Sequence, residues 1–397
     1  MCEFVVIGIS DNPRPELSSE ALGAIAAGRV FSGGRRHRDI VESLLPAGAE
    51  WIDITVPLSD VFERYEALPD GERVVVFASG DPLFFGFAAT LQRRMPQAGI
   101  RVIPHFNSLQ TLAHHMLLPY EEMRAVSLTG RQWDAFDSAL IAGEALIGVL
   151  TDRLHTPSAV AARMLEYGYD NYTITVGEHL GNPESERISA LTLSEAAARE
   201  WQQPNSIILR RTHRRRRPFG IPEEEFELLD RRVNMITKMP VRLLALSMLD
   251  LRGRSSLWDV GFCTGSVSIE ARLQFPDLKV TSFERRPECA AIIEANARRH
   301  GAPGITVVTE DFLDIEPSAY LSPDAVFIGG HGGKLRDMLD VVAGCLTPGG
   351  IVVFNSVGAD SLRSFRSGAV AAGLTIAKEH TITIDSHNPI TIIKAIK

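Results

Sequence analysis

The residues of this chain that could carry chemistry are concentrated around a glycine-rich turn in its second half. That turn runs from Asp259 to Ser266 with the sequence DVGFCTGS, directly after an apolar run that predicts a strand. Small residues let the backbone of such a turn approach a ligand, and the first N–H groups of the following helix face its negatively charged group. Glu284 ends the next predicted strand, about 20 residues further on, where a carboxylate can accept hydrogen bonds from both hydroxyls of a ribose. The spacing predicts a cofactor that contains a nucleoside.

A third acidic position narrows the choice of cofactor. Asp311 follows the third predicted strand of this half, within the sequence TEDF, where it is placed to hold an adenine amino group. Because the turn lacks the GxGxxG spacing of a dinucleotide site and this further carboxylate is present, the pattern favours S-adenosylmethionine (SAM). The cofactor contacts predicted from the pattern are Asp259, Gly261, Cys263, Thr264, Gly265, Glu284 and Asp311.

Cys263 stands where the usual GxGxG turn has its middle glycine. Where such a turn needs a positive φ, a side chain at this position costs about 1 kcal/mol, so we expect cofactor binding with lower affinity. A reactive thiol is the alternative interpretation, although no base lies beside Cys263 in the sequence.

Two residues further along are candidates for catalysis. His331 lies among four glycines after the fourth predicted strand, and Asn355 ends the fifth. Ligands of open α/β sheets bind at the carboxyl ends of the strands, and a glycine platform suits a large flat substrate. We predict His331 as a proton donor or acceptor and Asn355 as a pocket residue. The alternative for His331 is a place on the pocket rim without a chemical role.

The elements that must position these residues follow an α/β pattern. Short apolar runs alternate with longer helical patterns in both halves, which predicts parallel sheets covered by helices. Strands are predicted at 4–9, 74–78, 100–103, 145–150, 173–177, 206–209, 256–260, 279–284, 305–309, 325–329, 351–355 and 391–395. Helices are predicted between them, for example at 287–300 and 334–345.

Size and composition restrict the class of protein. A chain of 397 residues exceeds the roughly 100–200 residues of one domain, so two domains are expected. The net charge of -8 argues against a general nucleic-acid binder. The four cysteines form no CxxC pair, so we expect neither a disulfide framework nor a metal site. The chain shows neither a basic leader nor an apolar run long enough to span a membrane, and a soluble cytoplasmic protein is expected.

A basic segment marks the expected domain boundary. Residues 210–217 contain six arginines and break all periodicity. A solvated linker is the simpler interpretation, and an RNA contact is the alternative. The predicted domains are residues 1–212 and 223–397, joined by a basic linker at 213–222.

The first half resembles the tetrapyrrole methylase family. SGDPLFFG at 79–86, PHFNSLQ at 104–110 and SLTGR at 127–131 are similar to its SGDPxxxG, PGISSxQ and SLHGR segments, and later matches follow in family order. The resemblance implies a class III methyltransferase fold with a second SAM site. The residues that it assigns to this site are Gly80, Asp81, Pro82 and Ser108. The chain departs from the family's GxGPG turn, with GISDNP at 8–13.

The fusion of two methyltransferase halves in this order resembles the bifunctional precorrin-6Y C5,15-methyltransferase (decarboxylating) family of cobalamin biosynthesis. GIPEEEF at 220–226, MITK at 235–238 and FIGG at 327–330 add to this resemblance. It implies methylation of a tetrapyrrole at carbon 5 by the first domain. It implies methylation at carbon 15, with loss of the ring C acetate carboxyl, by the second. The resemblance also implies cofactor contacts from Thr237 and Phe312 and a homo-oligomer. Many substrate carboxylates call for arginines at the cleft mouths, for which Arg35, Arg36 and Arg131 are candidates.

Two other classes of function stay open at this point. An RNA or protein methyltransferase would use the arginine segment as a phosphate contact with salt-dependent affinity. A non-catalytic corrinoid-binding protein is suggested by Cys263 and by the altered turn at 8–13. Cofactor binding would separate this last class from the enzymes.

Overall fold

A computed structural model describes residues 2–232, 234–384 and 388–397 of the chain. Its internal contacts divide the chain into two units. The first unit is Met1–Arg131, Ala145–Ala162 and Tyr172–Thr212, and the second is Gln132–Glu144, Arg163–Asn171 and His213–Lys397. The last break falls at residue 212, while two short segments before it group with the second unit. The domain limits 1–212, 213–222 and 223–397 stay a prediction.

Residues 2–212 form ten strands and eight helices within the described part of the chain. The strands are β1 (Glu3–Ile9), β2 (Val30–Gly33), β3 (Glu50–Asp53), β4 (Arg73–Ser79), β5 (Gly99–Ile103), β6 (Arg124–Ser127), β7 (Leu146–Leu150), β8 (Tyr172–Glu178), β9 (Arg187–Leu191) and β10 (Asn205–Arg211). The helices are α1 (Ser19–Ala26), α2 (Arg35–Val41), α3 (Leu58–Glu66), α4 (Phe87–Arg94), α5 (Ser108–His115), α6 (Asp134–Ala142), α7 (Pro157–Glu166) and α8 (Leu193–Ala197).

The strands of the first unit make two sheets. The first sheet has the order β3-β2-β4-β1-β5 and is parallel throughout. The second has the order β6-β7-β10-β8-β9, in which only β6 and β7 pair in parallel. The expectation of parallel sheets was therefore wrong for the second sheet. An apolar run marks a strand covered on both faces, and it carries no information about the direction of the neighbouring strand.

The remaining described residues build one further sheet with flanking helices. The strands are β11 (Ser256–Val260), β12 (Lys279–Phe283), β13 (Ile305–Val308), β14 (Ala325–Ile328), β15 (Ile351–Ser356), β16 (Thr375–Ile382) and β17 (Ile390–Ile396). The helices are α9 (Met239–Leu249), α10 (Ser266–Gln274), α11 (Glu288–His300), α12 (Leu335–Cys345) and α13 (Ala359–Ala371).

The strand order of this sheet creates the crevice in which a ligand can bind. The order is β13-β12-β11-β14-β15-β17-β16, with β13 to β15 parallel and the last two strands antiparallel. The order of the strands reverses between β11 and β14, which lie side by side. In open α/β sheets a ligand binds beyond the carboxyl ends of the strands at such a reversal. The loops after β11, β12 and β14 therefore define the expected site.

Local sequence signals fix the elements around this crevice. Trp258 of β11 is fully buried and packs edge-on against Phe283 of β12, with 5.0 Å between the ring centroids. Helix α11 begins directly after Pro287 and ends before Gly301, whose φ of 68° is one that glycine adopts at little cost. The apolar contacts between the strands and this helix hold the short turn Glu284–Arg286 at the rim of the crevice.

Candidate active sites

Two neighbouring cavities lie at the carboxyl ends of the strands in the second unit. The first, which we call the Glu284 cavity, has a volume of about 240 Å³. Residues that line it include Gly261, Glu284, Asp311, Phe312 and His331. Four of these were predicted as cofactor contacts and one as a catalytic residue, so the structure brings them together.

The second cavity, which we call the Asp259 cavity, has a volume of about 540 Å³. The predicted residues that line it are Thr237, Asp259, Gly261, Cys263 and Asn355. An apolar wall is supplied by other residues, among them Met235, Val241, Val357, Ile382 and Ile384. Gly261, Arg286 and Gly330 line both cavities, which are therefore adjacent.

Asp259 is a buried carboxyl group with one unused oxygen. Its Oδ2 accepts hydrogen bonds from the backbone N–H of Ser268, at 3.2 Å, and from the Ser268 hydroxyl. Its Oδ1 is buried and has no hydrogen-bond partner among the described residues. Burial, opposed by the Ser268 hydrogen bonds, raises the pKa of Asp259 to about 7. An acceptor in this situation fits a ligand that carries a cationic donor.

The two other acidic residues have charged partners. Asp311 accepts a hydrogen bond of 2.9 Å from Nζ of Lys334, and this hydrogen bond holds the pKa of the carboxyl below its usual range. Glu284 is bound by the guanidinium of Arg286, at 2.7 Å from Nη2 to Oε2 and 3.0 Å from Nε to Oε1. The side chain of Glu284 is only 5% exposed. Sequence reasoning missed Arg286, which no motif singled out.

The two candidate catalytic residues lie in different cavities. His331 lines the Glu284 cavity, where its Nδ1 accepts the backbone N–H of Gly333 at 3.1 Å. Burial lowers the pKa of His331, so the ring is neutral at pH 7 and carries its proton on Nε2. Asn355 lines the Asp259 cavity, and its Oδ1 is buried without a partner in the described part of the chain. Only Asn355 thus shares a cavity with Asp259.

The glycine turn combines close approach with backbone strain. Gly261 has a φ of 78°, and a Cβ atom there would lie 2.7 Å from both N and O of Gly330. Cys263 has a φ of 51°, so the turn does require the conformation in which a side chain is costly. Cys263 is 7% exposed, and burial raises the pKa of its thiol, which disfavours the reactive thiolate.

Two predicted contacts of this turn face the interior instead. Thr264 is 1% exposed and is not among the residues that line either cavity. Gly265 has a φ of 74°, and a Cβ atom there would lie 2.2 Å from Cγ1 of Ile293. Gly265 therefore allows α10 to pack closely against α11.

The first unit has a cavity of about 160 Å³ between its two sheets, which we call the first cleft. Gly80 and Ser108, which the family resemblance assigns to the second SAM site, line it. Asp81 and Pro82 lie in the turn between β4 and α4, where Oδ1 of Asp81 accepts the N–H of Leu83 at 2.9 Å. They are not among the lining residues. Gly80 has a φ of 59°, and its absent Cβ atom would lie 2.7 Å from Cα of Asn107.

A polar network at this cleft was not predicted. Asp11 accepts hydrogen bonds from Arg36 and, at 2.8 Å, from Nδ1 of His179. The hydroxyl of Ser79 contacts Arg36 at 2.7 Å and Nε2 of His37 at 2.9 Å. Burial lowers the pKa of His37 to about 4, so this ring is neutral. Three of these residues lie outside the family motifs: Asp11 is in the altered turn, and Arg36 and His37 are in helix α2.

Arg131, a candidate for the cleft mouth, and Arg215, in the basic segment, make different kinds of contact. Arg131 donates to the Ser127 hydroxyl at 2.6 Å and lies over the ring of Phe85. Arg215, in the basic segment, donates to the carbonyls of Tyr167 and Gly168, at 2.9 and 3.2 Å. This arginine is therefore held in packing contacts within the second unit, which the interpretation as a solvated linker did not anticipate.

The described residues contain neither a candidate metal site nor a candidate membrane-spanning helix. Among residues 2–232, 234–384 and 388–397, no three His, Cys, Asp or Glu side chains are grouped so that they could hold a metal ion. No helix in the same ranges is long and apolar enough to cross a bilayer.

The sheet order, the glycine turn after β11 and the carboxylates after β12 and β13 define the second unit as a Rossmann-type methyltransferase domain. Residues 231–391 match the family model described as "Precorrin methyltransferase domain". Residues 4–197 match the model described as "Tetrapyrrole (Corrin/Porphyrin) Methylases". The predicted combination of two methyltransferase domains is confirmed.

Relatives match both halves of the chain in one alignment, over 90% of its length. A protein of Sinorhizobium sp, named "Precorrin-6Y C(5,15)-methyltransferase (decarboxylating)", is 32% identical over 359 residues, which are 90% of this chain and 85% of that protein. The chain belongs to this family of precorrin-6Y C(5,15)-methyltransferases, and the resemblance found in its motifs is confirmed.

Two shorter relatives, both from Salmonella typhimurium, match one part of the chain each. A "Cobalt-precorrin-6B C(15)-methyltransferase (decarboxylating)" is 44% identical over 130 residues, 32% of this chain and 66% of that protein. A "Cobalt-precorrin-7 C(5)-methyltransferase" is 27% identical over 207 residues, 52% of this chain and 98% of that protein.

Proposed function

We propose that this chain transfers two methyl groups from SAM to precorrin-6Y, at carbons 5 and 15, and removes the ring C acetate carboxyl as carbon dioxide. The observation that carries the proposal is the match of the chain, over 90% of its length, to a relative named for this reaction. The two Salmonella relatives support it, because each is named for one of the two methylations. The proposal also takes residues 1–212 as the C5 domain and 223–397 as the C15 domain.

The names of the shorter relatives also suggest an order of steps. The C(15) relative is named for precorrin-6B and the C(5) relative for precorrin-7, which is the later number. We therefore propose that the second unit acts first and that the first unit methylates its product.

The residues of the second unit fit SAM. Bound SAM supplies an electrophilic methyl group on a sulfonium. We assign its nucleoside to the Glu284 cavity, where Glu284 can accept the ribose hydroxyls and Asp311 the adenine amino group, with Phe312 beside the ring. We assign its methionine part to the Asp259 cavity. There the unpartnered Oδ1 of Asp259 is an acceptor for the ammonium group.

The larger, partly apolar Asp259 cavity is the place for the acceptor carbon. A meso carbon of a reduced tetrapyrrole is enamine-like and already nucleophilic, so the protein needs to align it with the methyl group and exclude water. Asn355 supports this role, because its buried Oδ1 is free to accept a hydrogen bond from the substrate. His331 lines the Glu284 cavity instead, which supports a contact with the nucleoside and not a proton transfer to the substrate.

Variants at these two positions separate the roles. Replacement of Asn355 by alanine should lower kcat of the C15 step about 10- to 100-fold, because a substrate contact is lost. Replacement of His331 by glutamine should raise the KM for SAM about 3- to 10-fold and leave kcat near the wild-type value. Steady-state kinetics at varied SAM measures both. A His331→Gln variant with normal SAM KM and a blocked loss of carbon dioxide would restore His331 as the proton donor.

The pKa of Asp259 predicts a pH-dependent affinity for the cofactor. The ammonium of a bound ligand favours the ionised carboxylate, whereas the free site holds a proton below the pKa of about 7. Binding of S-adenosylhomocysteine to the second unit should therefore weaken by up to about tenfold per pH unit below pH 7, and level off above it. Calorimetry across this range measures the effect. The variant Asp259→Asn should show a level profile, and a level profile in the wild type would contradict the assignment.

The direct test of the function uses the full chain with SAM and enzymatically prepared precorrin-6Y. Mass spectrometry of the product should show the gain of two methyl groups and the loss of one carbon dioxide. A chain that binds SAM but leaves precorrin-6Y unchanged would contradict the proposal. From the family resemblance we further propose a cytoplasmic homo-oligomer without a nucleic-acid partner, which light scattering and salt-dependent RNA binding would test.

A further inference from the structure

Every lone pair of the Glu284 carboxylate is already used within the protein. Oε1 accepts from the backbone N–H of Arg286 at 3.2 Å and from its Nε at 3.0 Å. Oε2 accepts from Nη2 of Arg286 at 2.7 Å and from the backbone N–H of Cys263 at 3.3 Å. A carboxylate offers about four acceptor positions. The guanidinium of Arg286 therefore occupies two of the positions that a ribose diol needs.

The guanidinium and the ribose thus compete for one carboxylate. A bidentate pair of this kind is among the strong hydrogen-bonded pairs in proteins, and its hydrogen bonds raise the pKa of Arg286 above its usual range. Glu284 itself has little freedom, because its side chain is 5% exposed and its neighbours are backbone groups of the glycine turn. When a nucleoside binds at Glu284, the group that can move is the Arg286 side chain, which is 30% exposed.

The Asp259 cavity is the place to which this side chain can turn. Arg286 lines both cavities, so a rotation of its side chain can carry the guanidinium from Glu284 into the Asp259 cavity. In the Asp259 cavity the carboxyl of Asp259 is assigned to the ammonium group of the cofactor. A guanidinium there otherwise meets an apolar wall that includes Met235 and Ile384, so it needs a further anionic partner. A tetrapyrrole with acetate and propionate groups supplies such a partner, and the planar fork of arginine matches a carboxylate in two hydrogen bonds.

We propose that Arg286 is the carboxylate ligand for the tetrapyrrole in the second unit, held on Glu284 until the ribose of the cofactor displaces it. The inference rests on the proposed function and adds to it a specificity-determining residue and a binding order. Cofactor binding frees the guanidinium, so the cofactor raises the affinity for the tetrapyrrole. By thermodynamic linkage, the tetrapyrrole raises the affinity for the cofactor by the same factor.

The variant Arg286→Gln distinguishes this role from a structural one. If Arg286 competes with the ribose, the variant should bind S-adenosylhomocysteine about 3- to 10-fold more tightly in the second unit, and the KM for precorrin-6Y should rise at least about tenfold. If Arg286 only orients Glu284, its removal should weaken S-adenosylhomocysteine binding and leave that KM unchanged. Either of these last two results would overturn the proposal.

Two further variants complete the experiment. Arg286→Lys keeps a cation without the fork, so the KM for precorrin-6Y should lie between those of the wild type and Arg286→Gln. Arg298→Gln removes an exposed arginine of helix α11, which follows Arg286 in the chain, and should change neither quantity. Calorimetry with S-adenosylhomocysteine does not need the tetrapyrrole. If wild-type protein failed to methylate precorrin-6Y, the proposed function would fall, while the competition at Glu284 would still be measured.

Discussion

The variant Gly261→Val should lose cofactor binding in the second unit and with it all turnover of precorrin-6Y. Gly261 has a φ of 78°, and its Cβ atom would lie 2.7 Å from N and O of Gly330, which follows strand β14. A valine at this position must adopt an unfavourable backbone conformation and push Gly330 away. Because Gly261 and Gly330 line both cavities, this shift would distort the walls of both. We expect the affinity for S-adenosylhomocysteine to fall at least about 100-fold, which corresponds to about 2.7 kcal/mol.

Calorimetry of the full chain measures this effect directly. Wild-type protein should bind S-adenosylhomocysteine at two sites per chain, and Gly261→Val at the first cleft alone. Gly344→Ala is the matched control, because Gly344 lies in helix α12 and a Cβ atom there meets nothing within 4 Å. Two intact sites in Gly261→Val would mean that the cofactor does not use the glycine turn after β11.

The sequence predicted the strands that carry the sites better than those at the edges. All twelve predicted strands are present, from β1 to β17, and ten of them are apolar runs with a neighbouring strand on both sides. Short β2, β3 and β6, with four residues each, were missed. The edge strands β9 and β16 were also missed, because their exposed residues interrupt the apolar pattern.

In the candidate sites, the sequence predicts residues at regular spacings after strands, but it does not predict contacts between side chains. Glu284 and Asp311 could be predicted because each follows a strand at a spacing that the fold repeats. Arg286 stands two residues from Glu284, but sequence spacing does not reveal that its guanidinium turns back onto that carboxylate. The contact between Asp11 and His179 joins residues 168 positions apart, which follow strands β1 and β8 of different sheets in the first unit. Such contacts arise only when the chain folds, and a single sequence without a motif at either position gives no signal for them.

The altered turn of the first unit shows why sequence departures alone do not decide activity. GISDNP at 8–13 replaces the family's glycine-rich turn, and this departure favours the hypothesis of a non-catalytic corrinoid-binding protein. In the structure Asp11 of this turn is fixed by Arg36 and His179, and the cleft remains open with Gly80 and Ser108 on its wall. The replaced turn thus keeps a defined cavity, and an assay of each methylation has to decide whether it is used.

Gly80→Val should stop the reaction after the first methylation. The φ of 59° at Gly80 disfavours a side chain, and its Cβ atom would lie 2.7 Å from Cα of Asn107, which caps helix α5. A valine should therefore close the first cleft and leave the second unit active. We expect a product that has gained one methyl group and lost carbon dioxide, with the C5 step slowed at least about 100-fold.

A mixture of the two variants tests the division of labour. Gly261→Val alone should leave precorrin-6Y unconsumed, and Gly80→Val alone should accumulate the singly methylated, decarboxylated product. Mixed together, they should restore the doubly methylated product, because each chain supplies the site that the other lacks. Gly23→Ala, in helix α1 with open space around it, controls for substitution as such in the first unit. Accumulation of a carboxylated, singly methylated product in Gly261→Val would reverse the proposed order, since the first unit would then accept precorrin-6Y itself.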